Sequence, residues 1–318
     1  MATGEHPAFL WWNGKQVRWE DATIHVTDLA WSTVGAVFEG IRAYWNEDHQ
    51  ELYVFRLREH LDRLMDSMRL VRLPTTYGVD DLREATLTLL KANESREDTY
   101  IRPLAYSSGT SCKRLSESSS NAALLINTNP MPSKLASGES IKVKVSSWTR
   151  ISDNVMPPRI KNISNYRNGQ LASMEARADG YDNAILLSPQ AKVSEAPGAC
   201  VMMVKHGKLI TPPTTDGILE SITRDAVMTM ASESLRLDVV ERSIDRTELY
   251  LADELFLCGT AFEITPVAEV DRYQVGTGGI GEVTSQLQLL FENVLRGKED
   301  EFASWRTVVG VEAGVAAD

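Results

Sequence analysis

The segment PPRIKNISNY, residues 157–166, constrains the fold and the chemistry of this chain more than any other stretch. Two prolines lead into Lys161, which stands among small and amide side chains, and Tyr166 follows five residues later. Most lysines lie on solvated polar faces, and these surroundings are unlike one. A lysine that attacks a carbonyl needs a site that disfavours its ammonium form. Taken alone, the segment still favours a surface or salt-bridged lysine, and a Schiff-base lysine is the alternative that the neighbouring segments described below support.

The overall composition is that of an ordinary globular protein, and it excludes several function classes. The 318 residues suggest about two domains, and 43% hydrophobic with 24% charged residues is a usual balance. The 33 basic and 44 acidic side chains give a net charge of −11, whereas binding nucleic acid requires a surplus of Lys and Arg. No uncharged apolar stretch approaches about 18 residues, and the N-terminus does not resemble a signal peptide. We therefore expect a cytoplasmic protein with neither nucleic-acid nor membrane partners.

The cysteines and histidines predict neither a disulfide framework nor a metal site. Cys112, Cys200 and Cys258 are an odd set without a CxxC pair. The five histidines do not form HExxH or another ligand spacing. Metal catalysis is therefore not the favoured interpretation.

The glycine-rich stretch GTGGIG, residues 276–281, matches the letters of the dinucleotide motif GxGxxG. That motif requires a strand before it, a helix after it, and a second strand that carries an acid about 20 residues on. Too little chain follows the helix predicted from residue 284 to complete such a unit. We interpret the stretch as a glycine turn after an edge strand, with a nucleotide site as a minor alternative.

Hydrophobic periodicity predicts an α+β chain. Leu57, Leu61, Leu64 and Met68 recur at helical spacing and leave the charged residues between them for solvent. Helices are predicted over 57–71, 80–92, 169–178, 223–235 and 284–296. Strands are predicted over 15–19, 24–26, 37–45, 100–107, 122–127, 141–145, 183–187, 201–210 (a hairpin), 238–242, 255–258 and 263–270.

The best linker is NPMPS, residues 129–133, because its two prolines resist both a helix and a strand ladder. This places a small N-terminal α+β domain over 1–128 and an interdomain loop over 129–139. A larger C-terminal domain over 140–318 then carries Lys161.

Three further segments have the chemistry to surround a ligand held by Lys161. VSEAPGA, residues 193–199, places Glu195 at a junction between a strand and a turn. LESITRD, residues 219–225, is typical of a helix N-terminus, where N–H groups and the helix dipole favour phosphate; a plain capped helix is the alternative. CGTA, residues 258–261, is a small-residue turn where the backbone can approach an anion, or simply a tight strand connection.

In this order, the segments resemble the branched-chain amino acid aminotransferase group of the fold-type IV (class IV) pyridoxal-phosphate enzymes. The resemblance covers nearly the whole chain, and it implies a two-domain fold-type IV fold of the D-amino acid aminotransferase-like kind. The segments that carry it are FEGIR (38–42), REHLDRL (58–64), YIRPL (100–104), KNISNY (161–166), Glu195, ITRD (222–225) and GTAFEITPV (259–267).

The resemblance assigns the central chemistry to three residues. Lys161 would hold pyridoxal 5'-phosphate covalently and then move the proton between the substrate Cα and the cofactor. Glu195 would face the pyridine nitrogen and keep it protonated, which makes the ring an electron sink. Tyr166 would donate a hydrogen bond to the phenolic oxygen of the cofactor.

The resemblance also implies a phosphate site. Arg63 would bind the phosphate together with the backbone N–H groups of Ile222 and Thr223 and the hydroxyl of Thr260, as a charge-assisted cradle. A solvated helix arginine is the alternative for Arg63 without the family.

Substrate binding is expected from residues of both predicted domains. Tyr100 and Arg102 point to one face of a strand because side chains alternate with a period of two. By resemblance, Arg102 meets the distal carboxylate of glutamate and Phe38 supplies an apolar wall, while a surface ion pair is the alternative for Arg102. Gly259 and Ala261 would present backbone to the substrate carboxylate.

We therefore predict transamination of branched-chain L-amino acids with 2-oxoglutarate by a homodimer or higher homo-oligomer. The chain departs from the group's usual pattern at Ser32-Thr33, where a His-Tyr pair is common, in the loop 130–133, and at Ala196 and Ser221. The first two departures alter the pocket, and the loss of the aromatic pair at Ser32-Thr33 favours an alternative on the same fold, an (R)-selective amine transaminase or a D-amino-acid transaminase. The segment YIRP, residues 100–103, favours the branched-chain enzyme. An aminodeoxychorismate lyase-like enzyme and a dinucleotide-dependent oxidoreductase are more remote alternatives.

Overall fold

The computed structural model describes residues 6–107 and 122–310, apart from the side chains of Ala30 and Trp31. The predicted α+β class is confirmed, since helices alternate with the strands of two sheets. The α-helices are α1 (Leu29–Val34), α2 (Leu57–Leu70), α3 (Val79–Ala92), α4 (Tyr166–Ala178), α5 (Ile222–Glu233) and α6 (Glu282–Leu295). The strands are β1 (Phe9–Trp12), β2 (Lys15–Arg18), β3 (Val37–Phe38), β4 (Ile41–Asn46), β5 (Glu51–Phe55), β6 (Thr99–Ser107), β7 (Ala122–Pro130), β8 (Ile141–Thr149), β9 (Asn183–Leu187), β10 (Glu195–Ala196), β11 (Ala199–Lys205), β12 (Lys208–Thr211), β13 (Asp238–Glu241), β14 (Glu254–Gly259), β15 (Glu263–Val270), β16 (Tyr273–Gln274) and β17 (Arg306–Val308).

The described residues divide into two compact units. The first contains the residues up to Pro132, the short stretch Asn162–Ser164 and the residues from Val294 onward. The second contains Ser133–Lys161 and Asn165–Asn293. The division after Pro132 falls within the expected interdomain loop, 129–139. Toward the C-terminal side, the second unit is shorter than the expected domain 140–318, because the residues from Val294 onward belong to the first unit and β17 pairs with β5 there. Cys112 lies outside the described residues.

The first unit is built on an antiparallel sheet with the strand order β17-β5-β4-β6-β7-β1-β2, and β3 also pairs with β6. Helix α2 packs against α3, and its apolar stripe is buried at Leu57, Leu61, Leu64 and Met68. This is the face that the helical spacing predicts, since residues three and four apart share one side of a helix.

The second unit is built on a mixed sheet with the order β13-β12-β11-β14-β15-β8-β9, and β10 pairs with β11. The pairs β12–β13, β8–β15 and β8–β9 are parallel, whereas β11–β14 and β14–β15 are antiparallel. Val201, Met203, Leu255 and Leu257 alternate along β11 and β14 into one buried cluster.

Two strand predictions in the first unit are corrected by the structure. The strand over 24–26 is wrong: Val26–Asp28 form a short 3-10 helix that leads into α1, and Ile24 and Val26 are exposed rather than packed on a sheet. The strand over 37–45 is divided into β3 and β4 at Glu39 and Gly40. Glu39 donates its backbone N–H to the carbonyl of Pro103 and buries its side chain. Apolar content alone does not reveal either feature.

The GxGxxG stretch is a structural turn before α6. Gly276 has a φ of 49°, and a Cβ on it would collide with the carbonyl oxygen of Asp253. A Cβ on Gly281 would collide with the carboxyl carbon of Glu254. That carboxylate accepts hydrogen bonds from the N–H groups of Val283 (3.0 Å) and Thr284 (2.8 Å). The N-terminus of α6 is thus occupied by a carboxylate of the chain, where a nucleotide site would need it for phosphate.

No helix within residues 6–107 and 122–310 is both long and apolar enough to cross a membrane. In the same described ranges, no three His, Cys, Asp or Glu side chains are grouped as a metal site requires.

Candidate active site

Lys161 lies at the end of a loop that a buried amide holds in place. The side chain of Asn165 donates hydrogen bonds to the carbonyl oxygens of Pro157 and Ile160, both at 3.0 Å. Tyr166 then begins α4, and its hydroxyl accepts a hydrogen bond from the Lys161 Nζ at 3.0 Å. The local sequence therefore places an amine and a phenol side by side, and both side chains are only partly exposed.

Glu195 is the buried carboxylate of the second unit. The Nη2 atom of Arg150 lies 2.7 Å from Glu195 Oε1, and the backbone N–H of Leu219 donates to Oε2 at 2.9 Å. Burial raises the pKa of Glu195, while Arg150, the Leu219 N–H and the charge of Lys161 act to lower it, and the net shift is upward. A buried carboxylate with these partners is suited to hold a cationic group such as a protonated ring nitrogen.

Arg150 is a candidate functional residue that the sequence analysis did not identify. It follows β8, is buried, and also donates from Nε to the carbonyl of Gly217 at 3.2 Å. A buried carboxylate requires a cationic or hydrogen-bonding partner, so burial of Glu195 would have indicated that such a partner exists. That rule does not say which of many arginines supplies the partner.

The predicted helix N-terminus is present at α5. The Oγ of Ser221 caps the helix by accepting a hydrogen bond from the N–H of Arg224 at 3.2 Å. Ile222 and Thr223 form the first turn and are buried. Because the backbone N–H groups and the dipole of a helix favour anions at this end, the first turn is suited to a phosphate.

The sheet brings the Glu195 region and the Gly259 turn together. Cys200 lies opposite Glu195 on one side and opposite Cys258 on the other, so three neighbouring strands join the two regions at about 4.8 Å per strand. Gly259 is buried, and a Cβ on it would lie 3.0 Å from the carbonyl oxygen of Gly198. Thr260 is half-buried and Ala261 is exposed at the turn.

The remaining predicted substrate residues belong to the first unit. Tyr100 and Arg102 lie on β6, and the Arg102 guanidinium carbon is 5.7 Å from the centroid of the Tyr100 ring, as expected for side chains on one face. Phe38 lies on β3 opposite Leu104. A Cβ on Gly40 would collide with the Tyr100 hydroxyl, so the glycine leaves the space that this hydroxyl fills.

Arg63 lies on α2 and is held by Glu39. Its Nε and Nη2 atoms donate to the two carboxylate oxygens of Glu39 at 2.7 and 2.8 Å. Sequence reasoning identified Arg63 without identifying this partner.

Comparison with known proteins agrees with this geometry. Residues 36–270, well over half of the chain, match the family model described as amino-transferase class IV. The chain belongs to the class IV aminotransferase family. The prediction of that family, of its fold and of an aminotransferase activity is therefore confirmed.

Individual relatives of this class IV aminotransferase match it over nearly their whole length. A probable branched-chain-amino-acid aminotransferase of Aquifex aeolicus is 41% identical over 302 residues, covering 95% of this chain and 96% of that protein. The branched-chain amino acid aminotransferase of Thermobaculum terrenum in its PLP-form has a TM-score of 0.93 and 49% identity, with 96% and 99% coverage. The T.th. branched-chain amino acid aminotransferase complexed with N-(5'-phosphopyridoxyl)-L-glutamate has a TM-score of 0.89 and 33% identity, again with 96% and 99% coverage.

Proposed function

We propose that this protein uses pyridoxal 5'-phosphate to transfer the amino group of branched-chain L-amino acids to 2-oxoglutarate. The observation that carries the proposal is the placement of the Lys161 amine beside the Tyr166 phenol, near enough to the buried Glu195 for its charge to lower the carboxyl pKa. This donor set fits the cofactor's aldehyde, phenolic oxygen and ring nitrogen. When bound, the cofactor supplies an electron sink for the carbanion at the substrate Cα.

The residues around Lys161 divide the proton chemistry between them. The Lys161 amine is the acid and base that moves the proton at the substrate Cα, and the hydrogen bond to Tyr166 orients its Nζ. Glu195, held by Arg150 and by the Leu219 N–H, balances a positive charge on the ring nitrogen. Because Glu195 is buried, water does not screen that interaction.

A phosphate group would be held mainly by backbone and hydroxyl donors. The first turn of α5 supplies the N–H groups of Ile222 and Thr223, and Thr260 supplies a hydroxyl from the turn after β14. Arg63 supplies a guanidinium from the first unit, in the role that the family resemblance implies.

Substrate selection is assigned to Phe38, Tyr100, Arg102, Gly259 and Ala261. The apolar ring of Phe38 suits a branched aliphatic side chain, and the cation of Arg102 suits the distal carboxylate of a dicarboxylic acid. The solved T.th. relative with a phosphopyridoxyl-glutamate ligand supports glutamate as one partner of the reaction. The names of the relatives support the branched-chain donor. We further propose a cytoplasmic homodimer or higher homo-oligomer.

A spectroscopic experiment tests the cofactor assignment. Purified protein supplied with pyridoxal phosphate should show the yellow absorption band of a lysine-bound cofactor, and the band should disappear on addition of L-leucine. Lys161→Ala should be colourless, whereas Lys208→Ala, at a surface ion pair with Asp238, should keep the band. Wild-type protein that binds no cofactor would contradict the proposal.

A panel of donors tests the substrate. With 2-oxoglutarate as acceptor, we expect turnover of L-leucine, L-isoleucine and L-valine and little with D-alanine or (R)-1-phenylethylamine. Inert leucine with an active amine would instead support the (R)-selective alternative, and pyruvate release from aminodeoxychorismate would support the lyase.

A further inference from the structure

In the first unit, the completely buried carboxylate of Glu39 accepts two hydrogen bonds from one edge of the Arg63 guanidinium. Glu39 has no exposed surface, and the Arg63 side chain is 13% exposed. Arg63 donates from Nε to Glu39 Oε1 at 2.7 Å and from Nη2 to Oε2 at 2.8 Å. His60 Nδ1 lies 2.8 Å from Oε2, so both carboxylate oxygens are engaged.

The surrounding fold makes this arrangement rigid. His60 and Arg63 are three residues apart on α2, which puts them on the same face of the helix. Glu39 occupies the break between β3 and β4, where its backbone N–H is bonded to Pro103. Two planar groups joined by two parallel hydrogen bonds cannot rotate independently, so the plane of the guanidinium is set by the position of Glu39.

Glu39 stays ionised despite its burial. Burial alone would raise the pKa of Glu39, but the charge of Arg63 and the hydrogen bonds from His60 and Arg63 outweigh burial and lower the pKa far below its ordinary range. A charge buried so deeply is costly unless each of its contacts is well formed.

A second arginine–glutamate pair, at the start of the same helix, shows the contrast. Arg56 and Glu59 meet at 2.7 Å, but the Glu59 side chain is 41% exposed. Because its carboxylate is open to water, this pair contributes less and restrains its arginine less than a buried carboxylate does. The Glu39–Arg63 pair differs because its carboxylate is buried and its two hydrogen bonds fix the orientation of the guanidinium.

We propose that Glu39 is a positioning residue that orients the Arg63 guanidinium toward the phosphate of the cofactor. This inference rests on the proposed function, in which Arg63 binds that phosphate. Glu39 itself does not touch the ligand. A guanidinium has donors along more than one edge, so a fork to Glu39 is compatible with a second fork to a phosphate. The negative charge of Glu39 offsets the positive charge of Arg63. The arginine therefore contributes correctly directed hydrogen-bond donors more than net charge.

The test compares two ligands that differ only in the phosphate. The dissociation constants of pyridoxal phosphate and of pyridoxal are measured on cofactor-free wild type, Glu39→Gln, Glu39→Asp and the control Glu59→Gln. In Glu39→Gln an amide N–H opposes an arginine donor, so binding of pyridoxal phosphate should weaken by roughly tenfold or more while pyridoxal is unaffected. Glu39→Asp should show a smaller loss in the same direction, and it supplies the comparison if Glu39→Gln does not fold. Glu59→Gln should match wild type.

A double-mutant cycle shows whether Glu39 acts through Arg63. In an Arg63→Lys background, the Glu39 substitutions should cause no further change in the ratio of the two dissociation constants. Equal losses for both ligands, or the same loss in the Arg63→Lys background, would overturn the inference. Wild type that binds neither ligand would instead overturn the proposed function, so the two failures are distinguishable.

Discussion

Glu195 and Arg150 form a buried ion pair in the candidate site of the second unit. The carboxylate is identifiable in the sequence because it lies among small residues at a strand end, whereas its partner lies 45 positions earlier without a motif. Their ion pair at 2.7 Å lowers the pKa of Glu195 and so opposes the effect of burial, which raises it. The protonation state of the site is thus a balance between two effects of opposite sign.

Replacing Arg150 by glutamine should shift the acid limb of the pH profile upward. Burial raises the Glu195 pKa and Arg150 lowers it, so removal of the guanidinium raises the pKa further. Glu195 can balance a ring cation only when ionised, and a higher pKa leaves it protonated to a higher pH. The pH dependence of kcat/KM reports this group in the free enzyme.

The control for this prediction is Arg159→Gln, which removes an exposed arginine paired with Glu220 and should leave the profile in place. An unmoved acid limb in Arg150→Gln would show that the arginine does not tune Glu195.

At the scale of elements, two helix N-termini of the second unit have opposite uses. Helix α5 is capped by the neutral hydroxyl of Ser221, and a ligand phosphate at its first turn would meet N–H groups and a favourable dipole. Helix α6 receives the carboxylate of Glu254 at the same position. The glycine turn before α6 therefore resembles a nucleotide motif in letters only, since its glycines make room for a protein carboxylate.

Glu254→Ala should destabilise the protein by about 1–2 kcal/mol, as the loss of a helix cap generally does. The substitution leaves the N–H groups of Val283 and Thr284 and the hydroxyl of Thr284 without this acceptor. Denaturant unfolding measures the change. Gln286→Ala, at an exposed position of the same helix, should stay within about 0.5 kcal/mol of wild type. Equal stabilities of the two variants would refute the capping role.

At the scale of the whole molecule, the chain returns to its first unit after the second, and the residues from Val294 onward complete that first unit. Strand β17 pairs with β5, and Arg296 binds the carboxylate of Asp98 and the carbonyl of Trp45. Phe302 is buried and stacks on Trp305 at a centroid distance of 4.3 Å. Residues 306–308 are therefore part of the sheet that carries Tyr100 and Arg102.

Phe302→Ala should destabilise the first unit selectively, by about 3–4 kcal/mol, because it empties a packed aromatic site. Native-state hydrogen exchange should accelerate in β5 and β17 and remain unchanged in β8 and β9 of the second unit. Leu289→Ala, which replaces an exposed leucine of α6, is the matched control. Faster exchange confined to β8 and β9 would contradict this assignment.

Much of the fold and part of the candidate site were predictable because they depend on local sequence. The stripe of Leu57, Leu61 and Leu64 defines α2 by spacing alone, and Ser221 marks the start of α5 by its capping chemistry. The strand predicted over 24–26 is wrong because three residues are too few to distinguish alternation from chance. Strand β17 was not anticipated, since its pairing with β5 joins positions about 250 residues apart.

The sequence by itself determined the α+β class, the candidates Lys161, Tyr166 and Glu195, and the aminotransferase family, because these depend on residue types and their order. Only the tertiary structure decided which side chains are the partners of these candidates. Arg150 meets Glu195, and Glu39 holds Arg63, because the folded backbone brings those positions together. The physical reason is that ion-pair and hydrogen-bond energies fall steeply with distance, and distances between remote positions are properties of the fold.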